Sequence, residues 1–190
     1  MTGALKRLAT FVSRRRHKRG FGIHSPFGFY FITVILAEGR YGYYCYPELN
    51  RLARRNAVAA GRLRMLMRVA NFLAPHTIAA PGATAPEQAA LCASDSSRRV
   101  VGLEGYAAVC SAAGITPFVF VGDPALVADV AGLSDCLLSA GTAIIARTDT
   151  LAGRNLADRI EPLGMTFAGK DMSIVVARRG LPHQKFAVAL

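Results

Sequence analysis

The sequence predicts an α/β fold in which a mostly parallel sheet follows a helical N-terminal extension. Residues 1–75 place apolar side chains at helical spacing. From residue 76 onward, short apolar runs alternate with helical segments, the pattern of parallel strands joined by crossover helices. A chain of 190 residues with 52% hydrophobic side chains can form one core. We therefore predict a helical extension over residues 1–75 and a sheet domain over residues 76–190.

Charge separates the same two parts of the chain. Residues 1–75 carry a net charge of +12 and residues 76–190 a net charge of −1, which gives +11 in total. An arginine-rich run at residues 14–19 supplies nonspecific affinity for phosphate, but no nucleic-acid recognition motif accompanies it. We interpret this run as a solvated surface, and the sequence predicts no nucleic-acid partner.

Three helical segments are predicted in the extension. The first covers residues 5–12 and ends at the basic run. Ser25 and Pro26 mark the start of the second, because serine caps free amides and proline is tolerated at the first helical position. This helix is expected to reach about residue 38. The third runs over residues 47–74, with a break near Gly61.

One face of the third segment is apolar and the other is basic. The apolar stripe consists of Leu63, Leu66, Met67, Ala70 and Leu73. The opposite face carries Arg62, Arg64 and Arg68, which we expect to face water or a partner.

The apolar run at residues 27–37 is too short to cross a bilayer, which takes about 20 residues. No cleavage pattern of a signal peptide follows the basic run. Peripheral contact with an anionic membrane is an alternative, but a buried helix is the simpler interpretation. The four cysteines form no metal-ligand or disulfide spacing, so we predict reduced thiols, no structural zinc and a cytoplasmic location.

Seven strands are predicted in the sheet domain, and the last of them are expected to run antiparallel. They cover residues 77–80, 99–104, 118–121, 142–146, 165–168, 173–178 and 185–190. Helices are predicted over residues 86–93, 106–113, 124–138 and 151–163.

The segment HKRGFGIHSPFGFYF, residues 17–31, has an order that ordinary helix or strand design does not require. It resembles an N-terminal signature of bacterial, chiefly Bacteroidetes, proteins of the class I S-adenosylmethionine-dependent methyltransferase family. The similarity covers almost the whole chain, including the tyrosine-rich loop at residues 41–46 and the ending at residues 178–190. It implies a Rossmann-like methyltransferase sheet. Residues 114–117 leave no room for one strand and helix of the family, so the sheet is expected to lack an edge strand.

The family binds S-adenosylmethionine at the loop after the first strand, where an acid and several glycines let the ligand approach the backbone. This chain has AAPGATAPE there, with Ala80 at the acid position and Pro81 removing an amide donor. The resemblance gives Gly82, Thr84, Glu104 and Asp123 as the residues that would hold the cofactor.

Glu104 follows Gly82 by 22 residues, a spacing at which a strand-end acid can bind ribose hydroxyls. A solvent-facing glutamate is the alternative. Related metal-assisted O-methyltransferases carry acids after the third and fourth strands. Here Asp123 is offset by one residue, and Arg147 and Thr148 replace the second acidic pair. Because cations need convergent oxygen ligands, we predict no metal site.

Two functions follow from these residues. The first is a methyltransferase-like protein with an eroded cofactor site and no catalytic residue, which has a binding or structural role toward a protein or a small molecule. The alternative is an active methyltransferase with an atypical cofactor loop, in which Asp123 or His24 assists a substrate hydroxyl. His24 also admits a second interpretation, as a buried group that fixes the turn before Ser25.

Overall fold

The chain folds into an α/β structure with helices on both faces of a mixed, mostly parallel sheet, as predicted. A computed structural model describes residues 23–37, 42–102, 104–105, 108–109, 117–127, 130–138 and 141–190. The predicted helix over residues 5–12, the basic run and most of the predicted helix over residues 106–113 lie outside the described residues.

The second predicted helix begins where Ser25 and Pro26 indicated. Helix α1 covers Pro26–Tyr30, and the Ser25 hydroxyl accepts a hydrogen bond from the Gly28 amide at 3.3 Å. The chain then continues as a π-helix over Phe31–Leu36. The Thr33 hydroxyl donates to the carbonyl of Phe29 at 2.7 Å, which is the carbonyl that an α-helix would offer to the Thr33 amide.

The third predicted segment consists of two helices, α2 over Tyr46–Arg55 and α3 over Ala60–Leu73. The break falls at residues 56–59 instead of Gly61, and Ala57 has a φ of 52° there. Gly61 lies in the first turn of α3, so the predicted position of the break was wrong by a few residues.

Arg68 is buried, so the prediction that it faces water or a partner is wrong. Its Nε donates to the carbonyl of Ile35 at 2.6 Å, and Nη2 donates to that of Leu36 at 3.2 Å. Nη1 donates to the hydroxyl of Tyr46 at 2.9 Å. The end of a helix leaves carbonyls without partners and attracts a positive charge. Arg68 therefore caps the π-helix from a neighbouring helix.

We expect Arg68→Met to lower the free energy of unfolding by about 2 kcal/mol, because buried carbonyls lose their donors. Urea denaturation measures this effect. Arg51→Met is the matched control, since Arg51 lies on an exposed ion pair with Glu48, and such pairs contribute little. Equal effects of the two substitutions would contradict the capping role.

The seven strands of the described residues form one sheet in the order β2-β1-β3-β4-β6-β5-β7. They are β1 Thr77–Ala79, β2 Arg99–Val101, β3 Phe118–Val121, β4 Thr142–Ala146, β5 Met165–Ala168, β6 Met172–Val176 and β7 Lys185–Ala187. Of the last three strands only β6 is antiparallel, pairing with β4 and β5, whereas β7 runs parallel to β5. The expected antiparallel ending is thus corrected: the short link between β5 and β6 imposes a hairpin, and the longer link after β6 lets β7 cross to the far edge.

Three longer helices connect the strands: α4 over Ala85–Cys92, α5 over Val130–Leu138 and α6 over Leu151–Ile160. Short 3-10 turns cover Pro124–Leu126 before α5 and Glu161–Leu163 after α6. The predicted helix over residues 124–138 therefore starts as a 3-10 turn, and the described residues from Val130 to Leu138 are α-helical.

The two faces of the sheet bury separate hydrophobic clusters. Phe118 and Phe120 point toward the helices that precede β1, and the rings of Phe31 and Phe167 lie 4.6 Å apart in the same cluster. Val119 belongs to the opposite cluster, because side chains alternate along a strand. The helices before residue 75 and the sheet after it thus share one hydrophobic cluster.

Two of the four cysteines, Cys45 and Cys92, are described as free thiols. Burial raises the pKa of each thiol, so the thiolate is disfavoured at neutral pH. None of the described helices combines the length and the apolar character that a membrane crossing requires.

Candidate functional site

The candidate site lies at the carboxyl ends of β1 and β3. The chain places β2 on one side of β1 and β3 on the other, so the order of strands reverses at β1. In open parallel sheets, ligands bind in the crevice outside the carboxyl ends of the strands at such a reversal. The loops at residues 80–84 and 122–123 meet at this place.

These two loops are in direct backbone contact. The Gly122 amide donates to the carbonyl of Pro81 at 2.8 Å. Gly82 has a φ of +69°, and a Cβ added to it would lie 2.6 Å from both the Cβ and the amide nitrogen of Asp123. A Cβ added to Gly122 would lie 2.4 Å from the carbonyl oxygen of Gly82. No ligand atom fits between the loops at these positions.

Two backbone donors of the loop after β1 are used within the protein. The amide of Ala83 donates to the carbonyl of Ala80 at 3.1 Å, and the amide of Thr84 donates to a carboxylate oxygen of Glu87 at 2.9 Å. Pro81 has no amide hydrogen to donate. A cofactor that approached this loop would have to displace these hydrogen bonds.

Glu87 is the residue that the sequence reasoning missed. Its Oε2 accepts from both the amide and the hydroxyl of Thr84 at 2.9 Å, and its Oε1 accepts from Nη2 of Arg62 at 2.6 Å. The carboxylate is buried at the N-terminus of α4, where the helix dipole favours a negative charge and where anionic ligand groups bind in other proteins. The spacing Thr84-x-x-Glu87 is that of a capping box, and this signal could have identified the pair.

Asp123 is held by partners of its own. Its Oδ1 accepts from the amide of Ala125 at 3.2 Å and lies 3.3 Å from Nη1 of Arg147. Arg147 has a φ of 55°, in the left-handed region, directly after β4. Within the described ranges, no three His, Cys, Asp or Glu side chains come together as a metal would require. The guanidinium of Arg147 thus lies beside Asp123, where a metal cation would have to bind. The absence of a metal site stays a prediction.

Glu104 does not end a strand, because β2 stops at Val101 and Glu104 lies in a helical turn. Its carboxylate turns back over Gly102, where an added Cβ would lie 3.0 Å from Oε2. The side chain is exposed. The predicted strand over residues 99–104 was therefore too long, since the pairing of β2 with β1 ends at Val101.

His24 is exposed, so its interpretation as a buried group that fixes the turn is wrong. Ser25 supplies the capping hydrogen bond instead. Helix α1 packs at Gly28 against Met165, the first residue of β5, which is the amino end of that strand. The structure brings Gly82 and Asp123 together but leaves His24 toward the opposite edge of the sheet.

Comparison of the chain with protein-family models, with curated proteins and with solved structures finds no match. The class defined by the fold and the site is an α/β protein whose crevice at the strand reversal is closed by its own loops.

Proposed function

We propose that this chain is a methyltransferase-like protein with an eroded S-adenosylmethionine site, and that it has a binding or structural role without methyl transfer. The contact between the loops after β1 and β3 carries the proposal, with the amide of Gly122 bonded to the carbonyl of Pro81 at 2.8 Å. A cofactor at this crevice needs free amides and an open approach to the backbone. The loops here satisfy one another instead.

The charges at the crevice support the same proposal. Glu87 places its carboxylate at the N-terminus of α4, and Arg62 pairs with it. Asp123 is paired with Arg147. The two carboxylates nearest to the loops after β1 and β3, those of Glu87 and Asp123, are thus committed to partners within the protein.

The strand order supports a Rossmann-like methyltransferase ancestry. With β2 at the edge and β6 antiparallel between β4 and β5, the sheet agrees with the shortened form that the resemblance implies. The lost strand of the family would lie beyond β2. None of the described residues forms a strand beyond β2, and the loss of a strand at that edge would shorten the sheet without opening the core.

We expect isothermal titration calorimetry with S-adenosylmethionine and S-adenosylhomocysteine to show no saturable binding to the full chain. A thermal unfolding transition on the same sample establishes that the protein is folded. Micromolar binding of either compound would overturn the proposal. If Glu104→Ala then weakened that binding, Glu104 would hold the cofactor as the alternative requires, and a methyl-transfer activity that Glu104→Ala leaves unchanged would exclude that alternative.

A further inference from the structure

A second site lies at the carboxyl edge of the sheet, beneath the N-terminal helices. A cavity of about 370 Å³ opens between the end of the π-helix, the first turn of α3 and the ends of β6 and β7. This volume is in the range that holds small organic ligands. Its apolar wall is formed by Ile32, Leu36, Met65, Met172, Val188 and Leu190.

The charged lining of the cavity is positive on balance, since it contains two arginines and one aspartate. Arg68 is buried and donates only to neutral oxygens, so no carboxylate of the described residues neutralises it. A buried charge without an ionic partner favours the entry of an opposite charge.

Arg62, a second arginine of the lining, has one N–H group, at Nε, that donates no hydrogen bond to the described residues. Its Nη2 binds Glu87 at 2.6 Å, which fixes the guanidinium in place. Its Nε is buried and has no hydrogen-bond partner within the described part of the chain. Asp171 lies 3.9 Å from Nη1, beyond hydrogen-bond distance, and its side chain is half exposed. Glu87 therefore balances the charge of Arg62, Asp171 adds little, and the charge at the lining without an ionic partner is that of Arg68.

We propose that this cavity binds a small amphipathic carboxylate. Arginine recognises carboxylates through charge-assisted hydrogen bonds, and the buried Nε of Arg62 supplies a donor for one of the oxygens. The aliphatic part of the ligand packs against the apolar wall. A neutral ligand would leave Arg68 without an ionic partner, and a cationic ligand would be repelled by the buried charge of Arg68. The inference deepens the proposed binding role and rests on it.

The test is calorimetric titration of the full chain with octanoate, octanol and octylamine. We expect octanoate to bind about tenfold more tightly than either of the other two, because only it forms a charge-assisted hydrogen bond. Ala189→Trp places a large side chain at an exposed position of the lining and should abolish octanoate binding. Ala152→Trp, at an exposed position of α6, is the matched control and should leave binding unchanged.

A second variant tests the charge directly. Asp171→Asn removes the competing carboxylate and should tighten octanoate binding about threefold or more, without effect on octanol. Asp158→Asn makes the same change in charge at an exposed position of α6 and should change the binding of neither octanoate nor octanol.

Three results would overturn the inference: no octanoate binding, equal binding of octanoate and octylamine, or octanoate binding that survives Ala189→Trp. The S-adenosylmethionine titration distinguishes a failure of the carboxylate-binding inference from a failure of the proposed function. Cofactor binding contradicts the eroded site whatever octanoate does, whereas loss of the octanoate signal alone contradicts only the ligand class.

Discussion

Glu87→Ala is expected to lower the free energy of unfolding by about 3 kcal/mol. The substitution removes one half of the capping box of α4, the Glu87 carboxylate that accepts hydrogen bonds from the amide and the hydroxyl of Thr84. It also leaves the guanidinium of Arg62 largely buried without its closest ionic partner. Loss of a cap alone costs about 1 kcal/mol, so most of the effect comes from the uncompensated charge.

Urea denaturation of Glu87→Ala and of Glu48→Ala gives the comparison. Glu48 forms an exposed ion pair with Arg51, one turn apart on α2, and its loss should cost less than about 0.5 kcal/mol. Combining Glu87→Ala with Arg62→Met should restore part of the stability, because the second change removes the stranded charge. Effects of the two substitutions that simply add would show that the pair is not coupled.

Gly122→Ala is expected to lower the free energy of unfolding by about 3 kcal/mol. The added Cβ would lie 2.4 Å from the carbonyl oxygen of Gly82 and 2.6 Å from the amide nitrogen of Ala83. Both are backbone atoms, so no side chain can rotate away to relieve the contact. The two loops would have to separate, which would also break the hydrogen bond from the Gly122 amide to Pro81.

Gly42→Ala provides the control for the loss of a glycine, because an added Cβ at Gly42 meets no atom within 4 Å. Its effect on the unfolding midpoint in urea should be small. If Gly122→Ala were equally mild, the loops would be able to part at little cost, and the closed crevice would lose its main support.

The sequence predicted the buried strands well and their surroundings poorly. Residues 118–121 and 142–146 were found as expected, because unbroken runs of β-branched, aromatic and small apolar side chains suit strands buried on both faces. The position of Arg68 was missed for a different reason. Helical spacing shows which residues share a face, but it does not show that the end of a π-helix covers that face and needs donors.

The sequence indicated that the loops after β1 and β3 form the candidate site, but it did not indicate that the two loops touch. Gly82 and Asp123 were both chosen from loops after strands, and the structure places them side by side. Sequence spacing could not indicate that their backbones touch, because that distance depends on how β1 and β3 pair. Glu104 was placed by its spacing, which could not indicate that the pairing of β2 with β1 ends three residues before it.

The carboxylate of Glu87 has a consequence for the substitutions that residue 87 can accept. It fills the N-terminus of α4 and, through Arg62, also fixes a guanidinium at the wall of the neighbouring cavity. A shorter side chain at residue 87 would free the helix end but release the arginine. A single substitution at residue 87 would thus alter two features of the molecule at once, the end of α4 and the wall of the cavity, and this restricts the side chains that the position can accept.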